Sequence, residues 1–171
     1  MAINKYTRPR DRISILIVTG IILLFAASAE VRAQIEDPPR PPSITLVSDL
    51  GFGAFYSSSG GTVTIDEYDV RTSLDVTLFF FGYTSAAHFY VYANSGTIIN
   101  ILNIPDFQLS WSGYSMNVEI GAINPALPFV NTNPYSMPTE VTIGATLSVG
   151  NPTANPPGNY IGTFDVTLVV E

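Results

Sequence analysis

Hydrophobic and polar residues alternate with a period of two through most of the chain after residue 42. The clearest run covers residues 141–149, in which Val, Ile, Ala, Leu and Val alternate with Thr, Gly, Thr and Ser. Residues 87–93 alternate in the same way and place His88, Tyr90 and Tyr92 on one face. This pattern is typical of β-strands that have one face in a core and the other in water.

The same period predicts further strands, which are separated by Gly, Pro, Asn and Ser residues. They cover residues 43–47, 62–66, 76–81, 97–102, 107–111, 114–120 and 160–170. Residues 76–81 are apolar enough to be buried on both faces or at a subunit contact. Residues 121–139 form the longest irregular stretch, a surface loop or a binding loop. Many short strands with such punctuation predict an all-β fold, either an antiparallel β-sandwich or a barrel.

The first 33 residues have a different composition from the rest. An apolar run at residues 13–29 follows a basic stretch and precedes small residues that end at Ala33. The basic residues are Lys5, Arg8, Arg10 and Arg12. This layout predicts a signal peptide at residues 1–33 that is cleaved after Ala33. The alternative is an N-terminal membrane anchor, but the run is at the short end of the roughly 17–25 residues that span a bilayer.

Residues 34–42 contain four prolines and predict an extended linker, followed by one β-sandwich domain at residues 43–171. The signal peptide predicts that the protein is secreted or held at the cell surface. Its removal leaves Arg40 and Arg71 against twelve acidic residues, so the formal net charge changes from −7 to −10. Such a chain repels phosphate groups, so neither nucleic acid nor an anionic membrane surface is expected as a partner.

The residues that usually carry chemistry are scarce. The chain has no Cys and a single histidine, His88, which argues against the usual zinc sites and against a lipid anchor on Cys. No G-x-S-x-G motif accompanies His88, so no catalytic residue and no enzymatic activity are predicted. The acidic residues Asp66, Glu67 and Asp69 allow two readings, a Ca²⁺ loop or a solvated turn with Arg71 paired locally. Their spacing favours the turn, so no metal and no cofactor are predicted.

Aromatic residues suggest a surface that could bind a partner. Phe79, Phe80 and Phe81 are consecutive, so at least one of them points away from the interior of a strand pair. A possible binding surface for glycan or protein is formed by Tyr90, Tyr92, Trp111 and Tyr114. The alternative for each of these residues is ordinary packing.

Several sequence blocks occur in a characteristic order. They are Leu50-Gly51-Phe52-Gly53, residues 60–65 (GGTVTI), Arg71, Ala87-x-Phe89-x-Val91, Ile99-x-Ile101-Leu102, Met116-x-Val118, residues 143–149 (IGATLSV) and residues 157–167 (PGNYIGTFDVT). In these blocks the chain resembles the DUF4402 family of bacterial secreted proteins, over nearly all of the mature chain. The order of these blocks is also similar to that of spore-coat-U and archaic chaperone–usher pilin domains, which are immunoglobulin-like sandwiches. This resemblance implies an immunoglobulin-like antiparallel β-sandwich.

The resemblance to pilin domains implies that a neighbouring subunit completes the sandwich with its N-terminal strand. Here prolines stand where that strand is expected, and Pro cannot donate to a ladder, so only residues 43–47 could serve. The sequence therefore predicts a structural or adhesive protein, fimbria-like, that joins itself or another surface protein by β-strand addition. The alternative is an extracellular module that binds glycan or protein through surface aromatics.

Overall fold

A computed structural model describes residues 40–170, and all regular secondary structure in that range is β. The predicted signal peptide and most of the predicted linker lie outside the described residues. Within residues 40–170, no helix is long and apolar enough to cross a membrane.

The described residues form fourteen strands, of which eight are only two to four residues long. In chain order they are β1 (Ser43–Ser48), β2 (Gly51–Phe52), β3 (Phe55–Tyr56), β4 (Gly61–Ile65), β5 (Arg71–Leu74), β6 (Thr77–Leu78), β7 (Thr84–Ser85), β8 (Ala87–Tyr92), β9 (Ile98–Ile101), β10 (Phe107–Trp111), β11 (Tyr114–Asn124), β12 (Phe129–Val130), β13 (Thr139–Val149) and β14 (Leu168–Val170).

The largest sheet has the order β1-β8-β13-β11-β10, and every pair in it is antiparallel. Along one edge of β13, residues 139–143 pair with β8 and residues 145–149 pair with β4. Strand β5 extends this sheet beyond β4. The smaller sheets are β12-β9-β14, β2-β7 and β3-β6. Together the antiparallel sheets curl into a half-barrel.

The interior consists of two apolar clusters, and β13 contributes to both of them. Val141 and Ile143 pack with apolar residues of β8 and β9, whereas Ala145 and Leu147 pack with those of β4 and β11. All four of these side chains are buried. Of the residues between them, Thr142 and Gly144 are also buried and Thr146 is half-buried. The apolar side chains of β13 therefore stabilise both clusters by burying apolar surface.

The all-β prediction is confirmed, and the predicted alternation is confirmed in β8, where Ala87, Phe89 and Val91 are buried. The finer prediction of an immunoglobulin-like sandwich stays a prediction. A strand over residues 76–81 is wrong, since only Thr77–Leu78 is a strand and Phe80 is fully exposed. The stretch 121–139 is also less irregular than expected, because β11 continues to Asn124 and β12 lies within the stretch.

Truncating a fully buried side chain of β13 tests this account of the core. Leu147→Ala is expected to lower the free energy of unfolding by about 2–5 kcal/mol, because it removes apolar contacts and leaves a cavity. Ser148→Ala changes the next residue of the strand, which is exposed, and is expected to alter stability by less than about 0.5 kcal/mol. Urea unfolding followed by tryptophan fluorescence measures both values. Equal effects of the two substitutions would contradict the assignment of the core face.

Candidate functional site

The half-barrel is open along one side, where a groove of about 930 Å³ lies between β1 and the C-terminal segment 158–166. Apolar side chains form most of its lining. They come from the inner faces of β8, β11 and β13 and from the two walls, and include Ile44, Leu46, Phe89, Met116, Leu147 and Phe164. The groove thus gives direct access to apolar surface that a closed sheet would cover.

One wall of the groove is an edge strand. Strand β1 lies at the end of the main sheet and pairs only with β8 among the described residues. Its register shifts between Leu46 and Ser48, and Leu46 lines the groove while remaining half exposed. The outer edge of β1 therefore offers backbone donors and acceptors next to apolar side chains.

The other wall is an extended segment with unpaired backbone. The amide of Ile161 exchanges hydrogen bonds with Ser110 of β10, and the carbonyl of Thr167 accepts one from Leu102. Between these anchors the side chains of Phe164 and Val166 are half-buried and those of residues 163 and 165 are exposed. Within the described part of the chain, residues 162–166 make no backbone hydrogen bond. The segment has the alternation of a strand but lacks a strand partner.

The sequence predicts one strand over residues 160–170, and the structure explains why only its end is assigned as strand. Strand β14 pairs with β9, so its ladder is complete on that edge. Residues 162–166 pass alongside β10, but their other edge faces the groove. Half-buried backbone groups without partners are unfavourable. The groove therefore lies between two strand edges that have no strand partner among the described residues.

The groove carries negative charge at its rim. Among residues 40–170, Asp49 and Asp165 are the only charged residues that line it, and both are exposed. Among residues 40–170, neither carboxylate has a hydrogen bond or an ion pair. The site thus combines an apolar floor, two unpaired strand edges and two carboxylates without partners.

The aromatic loop, residues 79–81, lies close to one end of the groove, where hydrogen bonds and ring stacking hold it. Arg71 donates from its two terminal nitrogens to the carbonyls of Phe79, at 2.9 Å, and Ala54, at 2.7 Å. The rings of Phe79 and Phe81 stack at 5.4 Å, and the amide of Ala54 donates to the carbonyl of Phe81. Gly82 has a φ of 90°, and a Cβ there would lie 2.7 Å from the Ala54 nitrogen. Burial lowers the pKa of Arg71 from its ordinary value.

The four aromatic residues predicted as a binding surface are not brought together. Tyr90 and Tyr92 lie on the outer face of β8, and Tyr92 contacts Tyr135 at 6.0 Å between ring centroids. Trp111 and Tyr114 are paired across the end of the β10–β11 hairpin. They lie on the same face of the hairpin as Met116, whose side chain is buried. Tyr90 is paired with Glu140, whereas the hairpin end lies near the opposite end of β13. The two pairs are therefore about 30 Å apart along the strand.

His88 connects two carboxylates on the outer face of the main sheet. Its Nε2 lies 3.0 Å from Asp69, and its Nδ1 lies 2.8 Å from Glu140. Partial burial lowers the pKa of His88, but the hydrogen bonds to both carboxylates outweigh burial and raise the pKa overall. For Asp69, burial raises the pKa, but hydrogen bonds from His88 and the Ala86 amide outweigh it and lower the pKa overall. The cluster joins the β4–β5 turn to β8 and β13.

The acidic stretch after β4 is a structured turn. The carboxylate of Asp66 accepts hydrogen bonds from the amides of Tyr68 and Val70, at 2.9 and 2.8 Å. The predicted local pairing of Arg71 with these acidic residues is wrong, because its guanidinium donates to the carbonyls of Phe79 and Ala54. Within residues 40–170, no three His, Cys, Asp or Glu side chains are grouped so that they could hold a metal ion.

Comparison with known proteins gives one match. A family model described as Domain of unknown function (DUF4402) matches residues 43–169, which include the groove, both of its walls and the His88 cluster. No curated protein and no solved structure matches the chain.

The His88 cluster predicts a defined dependence of stability on pH. Because the pKa of folded His88 is raised, its contribution is complete below the unfolded value of about 6.5 and is lost as the pH rises through the folded pKa. Because the pKa of folded Asp69 is lowered, its contribution is present above about 3.9 and is lost as the pH falls through the folded pKa.

The stability difference between the wild type and His88→Gln should therefore be largest between about pH 4 and 6.5. It should shrink at higher pH, as measured by urea unfolding at a series of pH values. Tyr90→Phe alters the same face of β8 but leaves the His88 cluster in place, and its effect should be independent of pH. A difference for His88→Gln that is constant from pH 5 to 9 would contradict the assigned ion pairs.

Proposed function

The chain belongs to the DUF4402 family, and from that premise we propose that it is an exported structural or adhesive protein whose open sheet takes up an extended strand from a partner. The function of the family is unknown, so the proposal depends on the groove. Its central observation is that the groove separates two strand edges that have no partner among the described residues.

Uptake of a strand fits the physical character of both walls. An added strand would form backbone hydrogen bonds with an edge, each of which contributes about 0.5–1.5 kcal/mol. Its alternate side chains would cover apolar residues of the groove floor, such as Phe89 and Leu147. The suggested likeness to pilin domains, in which a neighbour supplies a strand, supports the same mode of binding.

The strand is expected to come from outside the domain. Residues 43–47 were the only candidate donor near the predicted linker, but they form β1 and pair with β8 of their own chain. To serve as a donor strand for another copy, these residues would have to leave their own sheet and lose their pairing with β8. A fimbria-like chain in which each copy donates these residues is less favoured than uptake of a segment from another surface protein.

The proposed function is non-catalytic. Both ring nitrogens of His88 are taken by carboxylates, and Ser85 directs its hydroxyl to Asp69 and to the Ala86 carbonyl instead of to the histidine. A serine hydrolase requires its histidine to bond the nucleophile. A glycan-binding role through Tyr90, Tyr92, Trp111 and Tyr114 has less support, because these residues are divided between two distant places.

Synthetic strands provide a direct test of uptake. Two seven-residue peptides have the same composition, four valines and three threonines. Valine and threonine alternate in one peptide, whereas the valines of the other, the grouped peptide, are consecutive. Both peptides carry charged residues at their ends for solubility. The alternating peptide is expected to bind and to protect the amides of residues 162–166 from hydrogen exchange. The grouped peptide should bind more weakly, since its valines cannot all face the groove.

A matched pair of variants places this binding in the groove. Leu46→Ser should weaken binding of the alternating peptide about tenfold, because Leu46 lines the groove and is 52% exposed before binding. Val47→Ser alters a neighbour of similar exposure, 47%, that does not line the groove, and should leave binding unchanged. Failure of both peptides to bind, or equal losses in both variants, would overturn the proposal.

Export is tested separately. Expression of the full chain in a bacterial host should yield exported protein whose mass corresponds to a start at Gln34. Cleavage after Ala29 would give a species four residues longer, and an uncleaved anchor would retain the full mass in the membrane fraction. Ala33→Lys should block cleavage after residue 33. Recovery of unprocessed protein in the cytosol would contradict the proposed export.

A further inference from the structure

We propose that the groove selects a cationic strand from a different protein, in which apolar residues alternate and Lys or Arg lies near the ends. This inference rests on the proposed strand uptake and specifies its partner. It is carried by the juxtaposition of unpaired strand edges with Asp49 and Asp165 at the rim of an otherwise uncharged groove.

The floor and walls determine the pattern and the length of the occupant. One face of an inserted strand would meet apolar side chains such as Leu46, Phe89 and Phe164, so every second residue must be apolar. The C-terminal segment lines the groove over residues 158–166. At about 3.3 Å per residue this distance is roughly 30 Å, which suits an occupant of about seven to nine residues.

The charge of the groove determines what flanks that pattern. Asp165 lies near the end of the lining segment 158–166, and Asp49 directly follows β1 on the opposite wall. Within residues 40–170, neither carboxylate has a partner, and both stand beside the place that a strand would occupy. A Lys or Arg of the occupant can reach such a rim carboxylate, whereas Asp or Glu would be repelled.

The two arginines in the part of the chain that the structure describes do not neutralise this rim. Arg71 is bound to the carbonyls of Phe79 and Ala54, and Arg40 lies over the ring of Tyr135 at 5.2 Å. Neither of them lines the groove. These two are the only Lys or Arg residues after the predicted cleavage site.

A second copy of the chain does not fit as the occupant. Its alternating apolar segments from 43–48, 87–92 and 139–149 are already strands of its own sheet. With a formal net charge of −10 after removal of the leader, two copies also repel each other. The occupant is therefore a segment of another protein whose charge complements the rim.

The test compares alternating peptides that differ only in their flanking charge. One nine-residue peptide has Lys at both ends of the alternating valines and threonines, and the other has Glu at both ends. The wild-type protein is expected to bind the Lys peptide about tenfold more tightly at 20 mM salt, as measured by fluorescence anisotropy. At 0.5 M salt the difference should fall below threefold, because exposed ion pairs are screened.

Paired substitutions separate the rim from the overall charge of the protein. The Asp49→Asn, Asp165→Asn double variant should bind both peptides with affinities within twofold of each other. The control is Asp75→Asn, Asp106→Asn, which removes the same charge from exposed positions that do not line the groove. This control should retain most of the preference for the Lys peptide.

Each outcome bears on one of the two proposals. Equal binding of the two peptides to the wild type, or equal loss of preference in the two double variants, would overturn the cationic selection and leave strand uptake intact. Failure of both peptides to bind would remove strand uptake itself. Concentration-dependent oligomers that are lost in Leu46→Ser would identify a second copy as the occupant and overturn this inference.

Discussion

The antiparallel pairing of β13 on both of its edges fixes the position of the other layers. Strand β11 runs along one edge, while β8 and β4 share the other, each taking half of the strand's length. Gly144 lies where these two partners meet, and a Cβ at that position would lie 2.8 Å from the carbonyl oxygen of Ile65. The close approach that glycine permits lets β8 and β4 form one continuous edge, and the Thr142 hydroxyl bonds the Glu67 carbonyl across it.

The alternation of apolar and polar residues predicted strands such as β8 and β13, because the face on which a side chain lies is set within the strand itself. A residue that alternates with polar neighbours faces the core whichever strand lies beside it, so β8 and β13 could be identified before their partners were known. The stretch 76–81 failed for the opposite reason. Its apolar residues leave the sheet because Arg71, eight residues before Phe79, and Ala54, which is more distant in sequence, hold the carbonyl and amide groups of the loop. Sequence pattern carries no signal for such side-chain contacts to backbone.

The groove could not be predicted because it belongs to two segments more than a hundred residues apart. Residues 160–170 have the alternation of a strand, and the burial of Phe164, Val166 and Leu168 follows it. What the pattern could not indicate is that residues 162–166 lack a partner on the edge facing β1. Similarly, His88 was correctly placed on the outer face of β8, but its two carboxylates come from a turn and from β13.

In the proposed partner selection, Asp49 and Asp165 at the rim of the groove would also disfavour pairing of the open sheet with a second copy of the chain. An exposed edge is a template for pairing with any extended chain, and proteins protect such edges with charges and bulges. Here β1 has a register shift after Leu46, and Asp49 and Asp165 line the groove from its two walls. A second acidic copy that approached either edge would bring more negative charge to carboxylates that already lack partners. A cationic strand would instead be attracted to the two carboxylates. The same negative charge would therefore disfavour self-association and favour the proposed partner.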